Sequence, residues 1–586
     1  MKRRLFSLCL ALCLVAGLLP PLGALAVDTD EPPVAESSYR DVPAGNWAVD
    51  VIERATALGI VNGVDSEAQL FGFGQNVKRS EFVAMLTRLF GWEREIVVTP
   101  SFADCRPTSW YYDDVETAVA HGAVLRDSTS FRPEEYITRE EMAVMLVRAL
   151  GYETLAGNAV SFGHPFTDVT NYPGHITLAY DFGIINGVTP TTFQPAGYAR
   201  REEAAAMAVR LYDRTHSNTE WLHAFYALSS YSQRELIADL DAVSFGWSRL
   251  EFSAADGVSL NTTTKNSNEF AVPAAADTAV DLAAGAGALA NLSVYMSAGT
   301  KVTLEDGSAS NPCAAILLSA ERRTEAVDAI LSELGRRTAA GAPYYGGVTI
   351  DFELMKGSAL KEGFTLFLQE LHAALEPGDL QLTVAVHPVW KNNLAYYDAY
   401  DYPAIGAVAD RIILMAHDYA ADTLSSSLMA AGYTTTPVTP FDDVYYALKA
   451  ITDPQTGVGA DNISKVALAV SIDSTGWMLQ NGKVIRNTAM HPTAANLYAR
   501  LISSNTQMNY SERYRNPYIT YYDSTDSTDN LVWYEDSRSV SDKLALARMF
   551  GVTGVSVWRL GLVPQYEDPA SRPIYYNIWQ TILETK

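Results

Sequence analysis

Cysteine is scarce in this 586-residue chain, and its four cysteines are not grouped. Cys9 and Cys13 lie close to the N-terminus, whereas Cys105 and Cys313 lie in separate regions. This spacing fits neither a disulfide framework nor a zinc site. We therefore predict a protein without a metal or other cofactor.

Basic residues are also in deficit. Lysine and arginine number 43 against 68 aspartates and glutamates, which gives a net charge of −25. A nucleic-acid-binding protein needs a basic surface to face the phosphates, so nucleic acid is excluded as a partner. Beyond the N-terminus the chain lacks an uninterrupted apolar run of about 18 residues, the length that spans a bilayer. No membrane span is expected in the mature protein.

The N-terminus itself has the three-part pattern of a secretory signal. Residues 2–4 are basic, residues 5–19 are largely apolar, and small residues end at Ala26. Because this order of regions is typical of export, we predict a signal peptide over residues 1–26 with cleavage after Ala26. Retention at the cell would then depend on binding.

The chain is too long for one hydrophobic core, and its first part is built from repeats. Three units with a period of about 60 residues cover residues 37–92, 100–153 and 164–214. Each unit has an opening aspartate, a helix-like stretch, a phenylalanine turn and then a basic-acidic signature that begins a second helix. The aspartates, phenylalanines and signature arginines are Asp41, Asp104 and Asp168, Phe71, Phe131 and Phe193, and Arg79, Arg139 and Arg201.

These units resemble S-layer homology domains, which carry a Thr-Arg-Ala-Glu signature at the same place and usually occur as three tandem copies. The resemblance implies an all-α module of three repeats that binds pyruvylated secondary cell-wall polysaccharide. A guanidinium group can hold a carboxylate through two hydrogen bonds, so the signature arginines are candidates to bind the ligand's carboxylates. The implied wall-polysaccharide-binding residues are Arg79, Arg139, Arg201, Asp41, Asp104, Asp168, Trp47 and Trp110.

The alternative for each signature arginine is a local salt bridge or a contact at the start of its helix. The third repeat also departs from the other two, because His175 stands where they have Trp47 and Trp110. Binding by the third repeat is therefore expected to be weaker.

From residue 220 onwards, apolar strand-like runs alternate with helical stretches, which predicts a parallel (β/α)8 TIM barrel over residues 220–586. The seven visible runs are 242–247, 292–296, 347–352, 382–386, 411–415, 465–472 and 554–558. Phe270–Pro273 is the candidate for the eighth strand. Residues 479–536 are too long for a simple loop, so we predict an insertion before the last strand. The fold class is thus multidomain, an all-α module followed by an α/β barrel.

Two acids end the third of these runs. Because side chains alternate along a strand, Thr349, Asp351 and Glu353 share one face, and apolar residues occupy the other. Acids that face the inside of a barrel are costly unless they are hydrogen-bonded or used, and active sites lie at the carboxyl end of such strands. The alternative is a pair of acids that cap a surface loop.

The strand resembles the fourth strand of glycoside hydrolase family 18, the chitinase-like family, with its motif Asp-x-x-Asp-x-Asp-x-Glu. The four motif positions here are Gly346, Thr349, Asp351 and Glu353, of which the last two match. Residues 414–419 stand where the family has Met-x-Tyr-Asp, and residues 532–561 resemble the last strand of the spore-wall and cortex N-acetylglucosaminidase branch. The resemblance covers about 350 residues, and three separate motifs follow the right order.

The resemblance implies a retaining, substrate-assisted mechanism, in which the substrate's acetamido oxygen replaces an enzyme nucleophile. Glu353 would be the general acid and then the base, Asp351 would bond the acetamido nitrogen, and Asp418 would position the acetamido group or the water. The implied substrate-binding residues are Met415, His417, Tyr419 and Trp558. Of these, His417 stands where the family has a tyrosine. The alternative for Met415 is core packing, for Trp558 it is filling of the barrel, and His417 could be a satisfied structural histidine.

The expected function is that of an exported glycosidase, anchored to a Gram-positive type cell wall, that cleaves β-1,4 bonds at N-acetylglucosamine in peptidoglycan or chitin-like polymers. One alternative is a catalytically silent, lectin-like protein on the same fold. The presence of Glu353 favours the enzyme, and His417 and Thr349 favour the lectin. A third possibility is an S-layer component in which the barrel is only a scaffold.

Overall fold

The computed structural model describes residues 36–390 and 397–586. The predicted signal peptide, residues 1–26, lies outside the described residues. Within those residues, no helix combines the length and the apolar character needed to cross a membrane. The contacts divide the chain into two units, one with the residues up to Gln75 and Arg200–Ala206, the other with Asn76–Ala199 and Met207–Lys586.

The repeat region is helical. Its α-helices, among the residues that the structure describes, are Val49–Ala57, Arg79–Leu89, Tyr112–Ala120, Arg139–Ala149, Glu153–Ala159, Pro173–Asp181 and Arg201–Thr215. The helix Arg139–Ala149 begins with a capping box, since Thr138 accepts a bond from the Glu141 N–H and the Glu141 carboxylate accepts one from the Thr138 N–H. The basic-acidic signature is therefore a helix-start signal as well as a candidate binding motif.

The second part of the chain is a closed barrel, as predicted. In the described residues its eight parallel strands are β1 (Trp221–Tyr226), β2 (Ala242–Ser253), β3 (Leu289–Ser297), β4 (Gly347–Glu353), β5 (Gln381–Val386), β6 (Arg411–Leu414), β7 (Val466–Ser471) and β8 (Gly554–Trp558). Each strand pairs in parallel with the next, and β1 pairs with β8 to close the barrel. All eight carboxyl ends therefore meet at one mouth.

The predicted eighth strand was wrong. Phe270–Pro273 forms no strand, and the ring of Phe270 instead stacks on Tyr295 at a centroid distance of 4.7 Å. The missing strand is β1, in which His223 interrupts the apolar run. This histidine is fully buried, and both of its ring nitrogens have hydrogen-bond partners. Nε2 lies 2.7 Å from Ser244 Oγ, and Nδ1 lies 2.8 Å from Ser556 Oγ. Polar partners on the neighbouring strands thus allow a histidine inside the barrel.

Helices surround the barrel. The described α-helices after residue 220 are Ala276–Ala286, Pro312–Leu317, Ala320–Leu334, Ser358–Leu375, Tyr402–Val408, Ser426–Ala430, Phe441–Ile451, Ala494–Leu501, Ser537–Met549 and Ile578–Leu583. Short 3-10 helices are Leu228–Asp239, Lys265–Ser267, Glu376–Gly378 and Ala460–Lys465. The remaining short strands outside the insertion are Gly257–Asn261, Val302–Thr303 and Ala309–Ser310.

Between β7 and β8, in the region where the insertion is expected, lies a separate antiparallel sheet. Its five described strands are Ser474–Gln480, Lys483–Val484, Thr506–Ser511, Asn516–Asp523 and Thr528–Tyr534. The helix Ala494–Leu501 packs on this sheet, where Leu497 and Leu501 are buried with Ile519 and Val532. The sheet therefore has its own small apolar core beside the barrel mouth.

The last two repeats pack against the barrel within the same unit. Asp181 accepts hydrogen bonds from Lys449 Nζ, at 2.7 Å, and from the Tyr445 hydroxyl group. Next to this polar contact, the rings of Phe182 and Phe550 lie 5.3 Å apart. Both kinds of contact are buried, so these repeats are part of the barrel's packing rather than a loosely tethered domain.

Candidate active site

Asp351 and Glu353 lie at the carboxyl end of β4, at the barrel mouth. Asp351 is only 3% exposed, and its Oδ1 has no hydrogen-bond partner in the described part of the chain. Burial, and then the charge of Glu353, raise the pKa of Asp351 well above its usual value. Burial also raises the pKa of Glu353, with Asp418 adding to this effect and His417 opposing it. The pair can therefore hold a proton where an ordinary carboxyl group would have lost it.

Thr349, which occupies the position of a family aspartate, lies two residues before Asp351 on the same face of β4 and joins a buried polar network. Its hydroxyl group lies 2.6 Å from Ser244 Oγ and accepts a bond from Asn291 Nδ2 at 3.3 Å. Asn291 also donates to Thr383 Oγ1 at 3.2 Å. Because threonine has no carboxyl group, this position gives Asp351 no second acid with which to share a proton.

His417 and Asp418 follow β6 and form an ion pair with each other. His417 Nδ1 lies 2.8 Å from Asp418 Oδ2, and Ser471 Oγ donates to Asp418 Oδ1 at 3.3 Å. Burial disfavours the charged imidazole, but Asp418 and Glu353 together raise the pKa of His417. The Asp418 side chain is 58% exposed. Desolvation would raise the pKa of Asp418, but the charge and hydrogen bond of His417, with a hydrogen bond from Ser471, lower it. Each member of the pair thus favours the charged form of the other.

Asp418 also has a backbone conformation that residues other than glycine rarely adopt. Its φ angle is +59°, in the left-handed region, and Leu354, directly after Glu353, has a φ of +61°. Such conformations persist where the surrounding structure enforces them, and they cluster at functional sites. Leu354 lies directly after β4, which carries Asp351 and Glu353, and Asp418 is itself a candidate catalytic residue in the loop after β6.

A groove of about 780 Å³ is lined by Asp418 and Trp558. The ring of Trp558 packs edge-on against Phe225 at a centroid distance of 5.0 Å, which fixes the indole at the end of β8. Met415 is buried in the apolar cluster against which Trp558 packs. Tyr419 keeps its hydroxyl group buried and its ring 5.3 Å from Trp390. Met415 therefore lies behind Trp558, and neither of these two predicted substrate-binding residues is among those that line the groove.

Asp473 and His491 are among the groove residues that the sequence analysis missed. Asp473 follows β7 and lines the groove, and His491 of the insertion reaches it with Nδ1 3.3 Å from Asp473 Oδ2. The position of Asp473, just after a barrel strand, is a signal that could have found it. No sequence signal marks His491, because its place depends on how the insertion folds back.

The predicted wall-binding residues occupy repeated positions. Each opening aspartate accepts bonds from backbone N–H groups of its own phenylalanine turn, for example Asp41 from Phe71 at 2.7 Å and Asp168 from Phe193 at 2.9 Å. Asp104 does the same with Phe131 at 2.8 Å. These carboxylates are engaged in holding the turns.

The signature arginines follow a repeated rule as well. Each arginine donates from Nε to the carbonyl group of a phenylalanine at 2.8 to 3.0 Å. The pairs are Arg79 with Phe131, Arg139 with Phe193, and Arg201 with Phe71. Each guanidinium group also lies over the ring of the same phenylalanine, 4.9 to 5.3 Å from its centroid. By contrast, Trp47 and Trp110 are 59% and 60% exposed. The structure thus bonds each arginine to the phenylalanine turn of another repeat and leaves the tryptophans open to solvent.

Comparison with known proteins agrees with this architecture. The S-layer homology domain matches residues 101–143 and 165–205, so two repeats are found and the predicted count of three is not confirmed. "Putative sporulation-specific glycosylase YdhD" of Bacillus subtilis (strain 168) is 30% identical over 220 residues, which are 37% of this chain and 47% of that protein. The "Cortical fragment-lytic enzyme" of the same organism is 24% identical over 221 residues, 37% of this chain and 46% of that protein.

Among solved structures, that of the Bacillus cereus spore cortex-lytic enzyme SleL matches with a TM-score of 0.47 and 15% identity, over 80% of this chain and 92% of that one. The chain spans a little under half the length of the two curated relatives above. The model of Glycosyl hydrolases family 18 matches residues 264–562, just over half of the chain. The chain therefore belongs to glycosyl hydrolases family 18.

Proposed function

We propose that the protein is an exported, wall-anchored glycosidase that cleaves β-1,4 bonds at N-acetylglucosamine in peptidoglycan or chitin-like glycans. The observation that carries this proposal is the pair Asp351 and Glu353, at the mouth of a family 18 barrel, with pKa values raised by burial. A carboxyl group that keeps its proton is what a general acid needs.

In the first step, Glu353 gives its proton to the glycosidic oxygen while the substrate's acetamido oxygen attacks the anomeric carbon. The glycosidic bond breaks, the leaving sugar departs as an alcohol, and an oxazolinium ion remains. In the second step, the Glu353 carboxylate takes a proton from water, which attacks the anomeric carbon from the face that the leaving sugar vacated. The bond from that carbon to the oxazolinium oxygen breaks, and the acetamido group is restored. Two inversions at one carbon give retention of configuration.

Asp351 would bind the acetamido N–H. Its Oδ1 is buried and without a partner in the described residues, so a substrate donor would satisfy an acceptor that is otherwise costly to bury. The negative charge that develops when Asp351 is ionised would also stabilise the oxazolinium ion.

His417 would take the part of the family's tyrosine. Its Nδ1 bonds Asp418, and the pKa of its imidazole is raised, so Nε2–H can donate to the acetamido oxygen. Trp558 would form the floor on which the sugar packs, since an indole presents a large apolar face. Met415 and Tyr419 would support this subsite from below.

The proposed anchor comprises three repeats, with residues 37–92 as a diverged copy of the two that the family model finds. Supporting this, Asp41 holds the Phe71 turn, and Arg201 donates to the Phe71 carbonyl group, as their counterparts do in the other repeats. The exposed indoles of Trp47 and Trp110 are proposed to contact the cell-wall polysaccharide. The guanidinium groups of the signature arginines would hold carboxylates of the polysaccharide where they reach the surface.

The test is release of reducing ends from purified peptidoglycan and from N-acetylglucosamine oligosaccharides by the full chain. Glu353→Gln should abolish release, because the amide cannot give up a proton, while the control Glu362→Gln, at an exposed position, should leave it unchanged. Binding of either polymer without any release by the wild type would instead favour a lectin.

A further inference from the structure

The carboxyl end of β4, where Glu353 lies, pairs with one neighbouring strand but not with the other in the described residues. On one side β3 pairs with β4 along its whole length, up to Ser297 opposite Glu353. On the other side, the described pairing with β5 extends only from Gly347 to Ile350. The last three residues of β4 therefore have no β5 backbone partner among the described residues, at the point where the position of the acid matters most.

Two side chains take the place of this missing ladder. The hydroxyl group of Tyr400 donates to the carbonyl oxygen of Phe352 at 2.6 Å, and the backbone N–H of Leu354 donates to His387 Nε2 at 3.4 Å. Phe352 and Leu354 are the residues directly before and after Glu353 in the chain. The backbone is thus bonded on both sides of the acid.

The two side chains form one unit. The rings of His387 and Tyr400 lie 5.6 Å apart at a steep angle, and the ring of Tyr397 lies 4.5 Å from His387. The carbonyl group of His387 accepts a bond from the Tyr402 hydroxyl group at 2.8 Å, which fixes the histidine backbone. This packing leaves the imidazole little freedom to turn away from Leu354.

Accepting the Leu354 N–H requires an unprotonated Nε2. Burial, with the nearby charge of His417, lowers the pKa of His387 to about 4, while Asp418 opposes this effect. The imidazole is therefore neutral at ordinary pH, with its proton on Nδ1. The left-handed φ of Leu354, +61°, is a conformation that needs such support from its surroundings.

We propose that His387 and Tyr400 are positioning residues that fix the general acid Glu353 by clamping the backbone on either side of it. Neither residue donates or accepts a proton in the reaction. The proposal rests on the proposed function for its effect on rate, but the clamp itself can be observed without any activity.

The kinetic test uses the full chain and N-acetylglucosamine oligosaccharides. His387→Leu and Tyr400→Phe should each lower kcat at least tenfold with KM changed less than about twofold, because the acid is misplaced while the sugar contacts remain. His387→Gln should restore most of kcat, since its amide oxygen can accept the same bond. The matched control is Tyr112→Phe, because Tyr112 is another buried tyrosine whose hydroxyl group donates to a backbone carbonyl group, that of Val97. This variant should leave kcat and KM unchanged.

The second measurement is hydrogen exchange at the Leu354 amide, with the melting temperature as a check on folding. Exchange should be slow in the wild type and in His387→Gln, and at least tenfold faster in His387→Leu. The proposal is overturned if this amide exchanges equally in all three proteins, or if His387→Leu keeps its kcat in an active enzyme. Failure of the wild type to release sugar from any polymer would refute the proposed function, and the exchange data would still decide on the clamp.

Discussion

Replacing Asp351 with asparagine should stabilise the fold while it destroys activity. In the folded chain the pKa of Asp351 is raised by burial and by Glu353, whereas in the unfolded chain it ionises near its ordinary value of about 3.9. Between these two pKa values the unfolded state loses its proton and the folded state does not. Unfolding of the wild type therefore becomes easier as the pH rises through this window, and Asp351→Asn removes that effect.

The size of the effect follows from the burial of the group. The stability difference should grow by at most about 1.4 kcal/mol per pH unit above pH 4. Because the amide has no ionisation for burial to suppress, we expect the variant to be more stable than the wild type by roughly 1–3 kcal/mol at pH 7, within the limit set by that slope. Asparagine keeps the shape of the side chain, so a cavity does not confuse the result.

The assay is denaturant unfolding of both proteins at several pH values from 4 to 8, followed by circular dichroism and tryptophan fluorescence, together with sugar release. We expect Asp351→Asn to be inactive and, at neutral pH, the more stable protein. Stability curves that stay parallel at all pH values, or a variant that is less stable at pH 7, would refute the reasoning that burial without a partner raises the pKa of Asp351.

Three further predictions concern the other contacts of the molecule. Asp418→Asn should lower kcat about 10²-fold and move the basic limb of the pH profile to lower pH, because His417 loses the charge that raises its pKa; an unchanged basic limb would argue against an imidazolium role. Phe182→Ala should cost about 3–5 kcal/mol in denaturant unfolding, since it removes a buried ring that contacts Phe550, and a loss below about 1 kcal/mol would show that the repeats and the barrel pack loosely. Trp110→Ala should weaken binding to purified cell walls about tenfold with no change in cleavage of soluble oligosaccharides, and an unaltered dissociation constant would remove this indole from the binding surface.

The barrel could be predicted from the sequence because most of its strands are plain apolar runs. β1 was not predicted because His223 breaks its apolar pattern. The hydrogen-bond partners of His223 are Ser244 and Ser556, which lie on the strands on either side. Such a partner is set by tertiary structure, so no local pattern indicates that a histidine is satisfied inside a core.

The candidate site was predictable where the motif and the strand period coincide, as for Asp351 and Glu353. The groups that hold these acids were not predictable. His387 and Tyr400 flank Glu353 only because β5 stops pairing early, and this depends on the register of two strands. In the repeats, the sequence showed that an arginine recurs at the position of Arg79. It could not show that the Nε atom of Arg79 donates to the Phe131 carbonyl group.

The central claim is that the substrate's own acetamido group is the nucleophile and that Glu353 supplies and then removes the proton. Proton NMR of the first product released from an N-acetylglucosamine oligosaccharide by the full chain, recorded before the anomers equilibrate, tests this most directly. The account predicts the β-anomer first, and no product from Glu353→Gln. The α-anomer first, or undiminished release by Glu353→Gln, would contradict it.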